Sequence, residues 1–194
     1  GQTAQGHLER LMALSSVQAF SPWLAYAQVW QGLLWAEAGR CEGLSLARQG
    51  LERFDALGTL THRPLLLGVY ASAQRCLGQL EPALHTLHEA LAQVEATGER
   101  WWEAELQRLA GDLSLATYNP EEAEARFRRA VAVARAQEAK SLELRAAVSL
   151  TGLLQRQGRG SEAEPVLAEV YGWFTEGFDT PELREAKALL DRSG

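Results

Sequence analysis

The chain has 194 residues and a mass of 21.3 kDa, enough for one domain with a sizeable core or for a short repeat array. It contains 32 Leu and 31 Ala but no Ile, and Val and Thr occur only nine times each. Leu and Ala favour helices, whereas sheets draw on β-branched residues. The composition therefore predicts an all-α protein and excludes a sheet-based fold.

The net charge is −6, from 19 basic and 25 acidic residues. Binding to a nucleic-acid backbone requires a basic surface, so we expect no nucleic-acid partner. The basic residues are 17 Arg and two Lys, and Arg suits planar, bidentate contacts with carboxylates. Cys41 and Cys76 have no metal-binding or redox spacing, which predicts reduced thiols and a cytoplasmic location.

The start of the chain lacks the basic and apolar regions of a signal peptide. The longest uncharged stretch, residues 11–36, is interrupted by Ser, Gln and Pro, so we expect no membrane span. Because the chain begins with Gly and its one Met is Met12, we expect it to be a fragment of a longer protein.

Apolar periodicity between Gly and Pro breaks predicts ten helices. In chain order they cover residues 2–16, 22–38, 41–57, 62–77, 81–97, 100–117, 120–137, 141–157, 161–176 and 181–192. Four glycines are expected at helix ends in the left-handed conformation: Gly39, Gly78, Gly98 and Gly158.

Helix starts carry capping signals. Asn119 and Thr180 each precede a Pro, which pairs an N-cap residue with Pro at the first helical position. Ser161 and Glu164 have the spacing of a capping box, in which a hydroxyl and a carboxylate bind free backbone amides.

The sequence also repeats, with a period of about 40 residues. One series of equivalent positions holds small residues and another holds mainly large apolar ones: Gly43, Ala83, Ala123 and Ala163, then Ala47, Leu87, Phe127 and Leu167. This period predicts a single repeat domain over 1–194. It comprises a half repeat (1–17), four helix pairs (21–58, 61–98, 99–138 and 140–177) and a closing helix (180–192).

The third helix pair identifies the repeat type. Its small, small, aromatic and small positions are Gly111, Ala123, Phe127 and Ala130. This spacing is typical of the tetratricopeptide (TPR) repeat, whose small residues let the two helices approach closely. We therefore predict a right-handed α-solenoid of antiparallel TPR-like helix pairs.

Three segments, 98–115, 123–150 and 171–191, resemble the C-terminal TPR-like region of large bacterial signalling proteins. In those proteins a class III adenylate/guanylate cyclase domain, or a DNA-binding domain, is joined to a STAND-type predicted ATPase and then to such repeats. The resemblance implies an interaction or sensor arm that regulates an upstream ATPase and cyclase. None of that family's catalytic residues lie within this sequence.

No pattern for catalysis, a cofactor or a metal is evident. The glycines between 152 and 160 lack the Lys of a phosphate-binding loop. His85 and His88 are three residues apart beside Glu89, but the core register of that helix leaves both imidazoles in solvent. We therefore predict a chain that is not an enzyme and holds no cofactor or metal.

The first helix of each TPR pair lines the concave surface of an array. Offsets fixed on Gly111 predict these groove residues: Gln28, Trp35, Arg75, Glu105, Arg108, Asp112, Arg145 and Arg156. The arginines would bind the carboxylates of an acidic peptide through bidentate pairs. Alternatively, Glu105 and Asp112 lie one turn either side of Arg108 and neutralise it within the chain.

A second surface is predicted near the start of the chain. Residues 1–80 carry 11 charges and residues 81–194 carry 33. An array exposes an apolar edge where a neighbouring repeat is missing. We expect the helices over 2–16 and 22–38 to form an apolar contact face that includes Trp23 and Trp30, and the isolated chain to form a homodimer through it.

These observations favour a non-catalytic protein–protein interaction or sensor module that binds a protein or peptide, with the upstream domains of the same chain as one candidate. The alternative is an autonomous TPR-like protein that holds an acidic peptide or a small anionic ligand in the Arg-lined groove.

Overall fold

The computed structural model describes residues 2–17, 21–59 and 61–192. These residues form ten α-helices and no strand: α1 (Gln2–Val17), α2 (Ser21–Glu37), α3 (Glu42–Asp55), α4 (Arg63–Cys76), α5 (Leu80–Thr97), α6 (Glu103–Ala116), α7 (Pro120–Ala136), α8 (Lys140–Arg156), α9 (Glu164–Tyr171) and α10 (Pro181–Leu190). The prediction of an all-α protein is confirmed. Within the described ranges, no helix is both long and apolar enough to cross a bilayer.

The chain divides into two compact units, residues 1–100 and residues 101–194. In the first unit, α2 packs with α3 and α4 packs with α5, while α1 and α4 also contact α2. In the second unit, α6 packs with α7, and α8 packs with α9. Both α6 and α10 lie against α8, so this helix is central to the second unit.

Left-handed residues separate successive helices at regular intervals along the chain. The predicted glycines all have positive φ angles, between 71° and 76°. At the equivalent turns between α6 and α7 and between α7 and α8, Tyr118 and Glu138 adopt φ angles of 60° and 55°. A side chain at such a position strains the backbone, because its Cβ approaches the following carbonyl. Tyr118 and Glu138 therefore adopt the same turn conformation as the glycines, but at a cost in folding stability.

The predicted cap at Asn119 forms, whereas those at Thr180 and Ser161 do not, and Thr180 makes no side-chain cap hydrogen bond at the start of α10. The Asn119 side chain accepts a hydrogen bond of 3.2 Å from the Glu122 amide at the start of α7, as expected of an N-cap. The capping box at Ser161 and Glu164 is wrong, because Ser161 lies in a 3-10 turn and α9 starts at Glu164 without a side-chain cap. Pro165 accounts for this, since it favours the first turn of a helix and not its interior.

The helix predicted over 161–176 is correspondingly shorter in the structure. It starts at Glu164 and ends at Tyr171, and residues 172–180 form turns before α10. Gly177 lies in this segment with a φ angle of 75°, a conformation that would strain other residues.

The core of the second unit surrounds Phe127, which is fully buried. Its cluster includes Leu144 and Leu154 of α8, Leu167 of α9 and Leu183 of α10. In this way one hydrophobic cluster fixes α7, α8, α9 and α10 together, and it positions the polar faces of α8 and α10.

Candidate functional site

A cavity of about 520 Å³ lies among α6, α8 and α10 in the second unit. Arg108, Asp112 and Leu115 line it from α6, and Phe127 contributes from α7. The side of α8 is formed by Arg145, Val148, Ser149, Gly152 and Arg156. The side of α10 is formed by Pro181, Glu182, Glu185, Leu189 and Arg192. Because charged side chains come from all three helices, we call it the charged cavity.

The three helices occupy equivalent places in successive repeats, and side-chain contacts join α6 to α8 and α8 to α10. Arg145 on α8 forms an ion pair of 2.9 Å with Glu105, which holds the equivalent position one repeat earlier on α6. Near the other end of α8, the Gln155 side-chain amide donates to the Leu189 carbonyl of α10 at 2.9 Å. Residues late in α8 therefore meet residues late in α10.

Arg108 lies at the centre of an ion network. It binds both oxygens of Glu105, at 2.8 and 3.0 Å, and one oxygen of Asp112 at 2.7 Å. Its side chain is only 13% exposed and that of Glu105 only 5%. Burial alone would lower the pKa of Arg108, but the hydrogen bonds and charges of the two carboxylates raise it instead. The guanidinium is thus permanently charged and neutralised by its own chain.

Four other charged residues of the cavity are exposed and unpaired. Within the described part of the chain, no ion pair or side-chain hydrogen bond involves Arg156, Arg192, Glu182 or Glu185. Arg156 and Arg192 lie toward the C-terminal ends of α8 and α10, whereas Glu182 and Glu185 lie in the first turns of α10. These four side chains are therefore available to a ligand.

Five of the predicted groove residues come together here. Arg108, Asp112, Arg145 and Arg156 line the charged cavity, and Glu105 binds two of them from behind. Of the two alternatives for Arg108, the geometry favours internal neutralisation. Arg145 shares a carboxylate with it, so Arg156 is the predicted arginine that offers an unpaired guanidinium in this cavity.

The other predicted groove residues belong to the first unit. Gln28 is buried and accepts a hydrogen bond of 3.1 Å from Arg53, so the prediction that it faces a partner is wrong. Trp35 is half-buried, and the Arg40 guanidinium lies 4.0 Å from its ring centroid. Arg75 is exposed in the last turn of α4, as a binding residue must be.

The predicted apolar contact face also lies in the first unit. Trp23 is 58% exposed, whereas Trp30 is half-buried. The Trp23 ring lies 6.0 Å from Tyr26, which packs edge-on against Phe54 at 5.6 Å. Contact with a partner or a second copy through this face stays a prediction.

Sequence reasoning missed the contribution of α10. Glu185 holds the position of Arg145 one repeat later, and Arg192 holds the position of Asp112 two repeats later, so the repeat register placed both in line with the groove. They were missed because residues 180–192 were interpreted only as a closing helix. His85 and His88 are exposed as expected, and no cluster of three His, Cys, Asp or Glu residues suited to a metal occurs in the described ranges.

No protein-family profile matches this chain. Among solved structures, TPR-like repeats of the kinesin light chain type from Podosopora anserina superpose with a TM-score of 0.66 at 19% identity, over 87% of this chain and 84% of that one. A single-residue variant of the same repeats gives a TM-score of 0.67 at the same identity and coverage. This chain has a TPR-like helical-repeat fold. The predicted all-α, TPR-like fold is thereby confirmed.

Among curated proteins, an uncharacterized protein of Rhizobium meliloti is 33% identical over 123 residues. The match covers 61% of this chain but only 12% of that protein. The TPR-like stretch thus spans a small part of the length of the curated relative it matches.

Proposed function

We propose that this TPR-like chain is a non-catalytic interaction module that holds a segment of a partner protein in the charged cavity. The observation that carries the proposal is the set of unpaired charges on α8 and α10. Exposed Arg and Glu side chains that face one cavity are solvated until a ligand supplies their counter-charges. The cavity volume of about 520 Å³ lies within the usual range for ligand sites.

The ion network below these charges supports the proposal. Arg108 is held by Glu105 and Asp112, and Arg145 is held by Glu105, so the floor of the cavity is fixed before a ligand arrives. A preformed site loses less conformational entropy on binding than one that must be assembled.

We further propose that the partner is an upstream part of the same protein, and that this module regulates an ATPase and a nucleotide cyclase there. The resemblance of residues 98–191 to the C-terminal region of such signalling proteins supports this. So does the relative in which the matching stretch is only 12% of the length. The module would act by binding, with no chemistry of its own.

An autonomous role, with an acidic peptide or a small anion as ligand, is the second candidate. The unpaired guanidinium groups of Arg156 and Arg192 favour it, because two arginines at one end of a cavity can hold one carboxylate or phosphate.

The test is a titration of the full chain against the separately expressed segment that precedes it in its parent protein, with binding and ATP hydrolysis both followed. We expect saturable binding and altered ATP turnover with the natural chain, and a weaker complex with Arg156→Ala/Arg192→Ala. Lys187→Ala is the matched control, since Lys187 is an exposed cation of α10 that does not line the cavity. Absence of binding would overturn regulation in cis, and equal binding by all three chains would overturn the role of the cavity.

A further inference from the structure

We infer that the charged cavity is bipolar and takes an extended peptide segment with a positive group at one end and a negative group at the other. The inference rests on the proposed function and specifies its ligand. It follows from where the unpaired charges lie along α8 and α10, and not from the total charge of the cavity.

The paired charges of the cavity neutralise one another. The unpaired charges therefore determine the electrostatic potential that a ligand meets there. Arg108 and Arg145 are matched by Asp112 and Glu105 through contacts of 2.7 and 2.9 Å. The residues that remain are Arg156 and Arg192, with a charge of +2, and Glu182 and Glu185, with a charge of −2.

These two pairs lie at opposite ends of the cavity. The Gln155 side chain near the end of α8 binds the Leu189 carbonyl near the end of α10, so the last turns of the two helices lie together. Arg156 ends α8 and Arg192 follows α10, so both lie at this end of the cavity, whereas Glu182 and Glu185 are in the first turns of α10, toward its other end. The acidic end therefore suits an ammonium or guanidinium group, and the basic end suits a carboxylate or phosphate.

The length of the cavity defines the spacing of the ligand's charges. Glu182 and Arg192, one from each pair, lie ten residues apart along α10 and both line the cavity, a separation of about 15 Å at about 1.5 Å per residue. An extended peptide covers this distance with about five residues at about 3.3 Å each. Two charges of opposite sign at that spacing would meet both ends, whereas adjacent opposite charges would not.

A uniformly acidic ligand is disfavoured by the same arrangement. Its negative groups would meet Arg156 and Arg192 at one end but Glu182 and Glu185 at the other, and like charges at close range repel. The acidic peptide suggested by the arginines alone is therefore replaced by a mixed-charge segment, a distinction that short probes can test.

The experiment measures the affinity of the full chain, at low ionic strength, for four peptides whose termini are acetylated and amidated. The bipolar probe is KKSGSEE, the mixed probe KESGSEK has the same composition, and the uniform probes are EESGSEE and KKSGSKK. We expect the bipolar probe to bind at least about tenfold more tightly than the other three. Equal affinities, or tightest binding of a uniform probe, would overturn the bipolar cavity.

Charge reversal at one end gives a sharper test. Glu182→Lys/Glu185→Lys should make EESGSEE the preferred probe, and Arg156→Glu/Arg192→Glu should make KKSGSKK the preferred probe. All four side chains are exposed, so neither change disturbs the core. Glu121→Lys/Glu176→Lys, at exposed positions outside the cavity, should leave the order unchanged. Reversal variants that keep the original order of affinities would overturn the inference.

The two proposals fail in distinguishable ways. If the upstream segment binds through the cavity but the bipolar probe has no advantage, the interaction module stands and the bipolar ligand does not. If the probes follow the predicted order but the upstream segment does not bind, the bipolar cavity stands and regulation in cis does not.

Discussion

Phe127 fills the space that a side chain at Gly111 would occupy. A Cβ built on Gly111 would lie 2.5 Å from Phe127 Cε1, although the two residues are on different helices, α6 and α7. At the equivalent positions of the preceding repeat, the same pair is Ala71 and Leu87. A larger side chain on the second helix is thus matched by a smaller one on the first, as close packing of a core requires.

We predict that Gly111→Ala destabilises the chain by about 1–3 kcal/mol, because a methyl group must displace a fully buried ring. Phe127→Leu alone should also destabilise it, because it leaves a cavity. The double change Gly111→Ala/Phe127→Leu reproduces the Ala71 and Leu87 pair, and it should be more stable than the sum of the single changes implies. Chemical denaturation of the four proteins measures this coupling, and strictly additive effects would contradict the volume match.

At the strained turns we expect a substitution to raise the stability of the chain, in contrast to the changes at Gly111 and Phe127. Tyr118 and Glu138 have positive φ angles where equivalent turns use Gly, and the Tyr118 side chain is 95% exposed. Tyr118→Gly should therefore stabilise the chain by about 1 kcal/mol, with little packing lost. Glu138→Gly should act in the same direction. Gly158→Ala, at an equivalent turn with a φ angle of 75°, should destabilise, and a denaturation midpoint that rises with this change would refute the argument.

The contacts of the Glu143 carboxylate indicate how the stability of the chain depends on pH. The Glu143 side chain is fully buried and binds Arg135 at 2.9 Å and Lys140 at 2.8 Å. Burial would raise the pKa of Glu143, but hydrogen bonds from Lys140 and Arg135 outweigh it and hold this pKa below its usual value. A carboxyl whose pKa is lowered by folding stabilises the protein above its unfolded pKa of about 4.3, and this contribution is lost as the pH falls through the lower folded value.

Glu143→Gln should accordingly cost about 1–3 kcal/mol at pH 7, because it removes the charge that binds two cations. The difference from the natural chain should shrink as the pH falls below about 4. Urea denaturation at a series of pH values checks this, with the exposed Glu121→Gln as control. A difference that is the same at pH 7 and pH 3 would show that the ion pairs are not its cause.

Two ion clusters occupy equivalent positions in different repeats. The acidic and basic residues at two of these positions are exchanged between the clusters, and the third position is Glu in both. Arg63 binds Asp55 and Glu89, each at 2.6 Å. Two repeats later, Glu143 is in the place of Arg63, and Arg135, in the place of Asp55, binds both Glu143 and Glu169 at 2.9 Å. The shared cation is thus at position 63 in the first cluster and at the position equivalent to 55 in the second, where Lys140 adds a further cation to Glu143.

Arg63→Glu alone should therefore destabilise the first unit by about 1–3 kcal/mol, since it places three carboxylates together. Asp55→Arg in the same chain would reproduce the contacts that Arg135 makes with two carboxylates in the second cluster, and we expect it to restore most of the loss. A double-mutant cycle by thermal or urea denaturation measures the coupling. If Asp55→Arg makes the Arg63→Glu chain less stable, the equivalence of the clusters is wrong.

Much of the fold could be predicted from sequence because its signals are local. Leu and Ala composition, Gly at the turns and the regular repeat period each act within one or two helices, and they predicted the helix pairs. The helix over 161–176 was predicted too long because Pro165 and the turns after Tyr171 interrupt it.

The site was harder to predict because exposure depends on side-chain length as well as on register. Gln28, Gly68, Arg108 and Val148 are equivalent positions, and all are buried or half-buried between neighbouring helices. The long Arg108 side chain reaches the cavity from there, whereas Gln28 stays buried against Arg53. Which arginines remain unpaired also depended on carboxylates from other helices, and periodicity alone does not give those contacts.

The central claim is that a partner segment enters the charged cavity, and site-specific cross-linking tests it most directly. A photoreactive phenylalanine would replace Ser149, which lines the cavity, or Glu121, which is exposed on α7 outside it. Each chain would be irradiated with the upstream segment of its parent protein. We predict a cross-linked product from position 149 that excess bipolar peptide suppresses, and none from position 121. Equal products from both positions, or a product from position 149 that the peptide does not reduce, would contradict binding in the cavity.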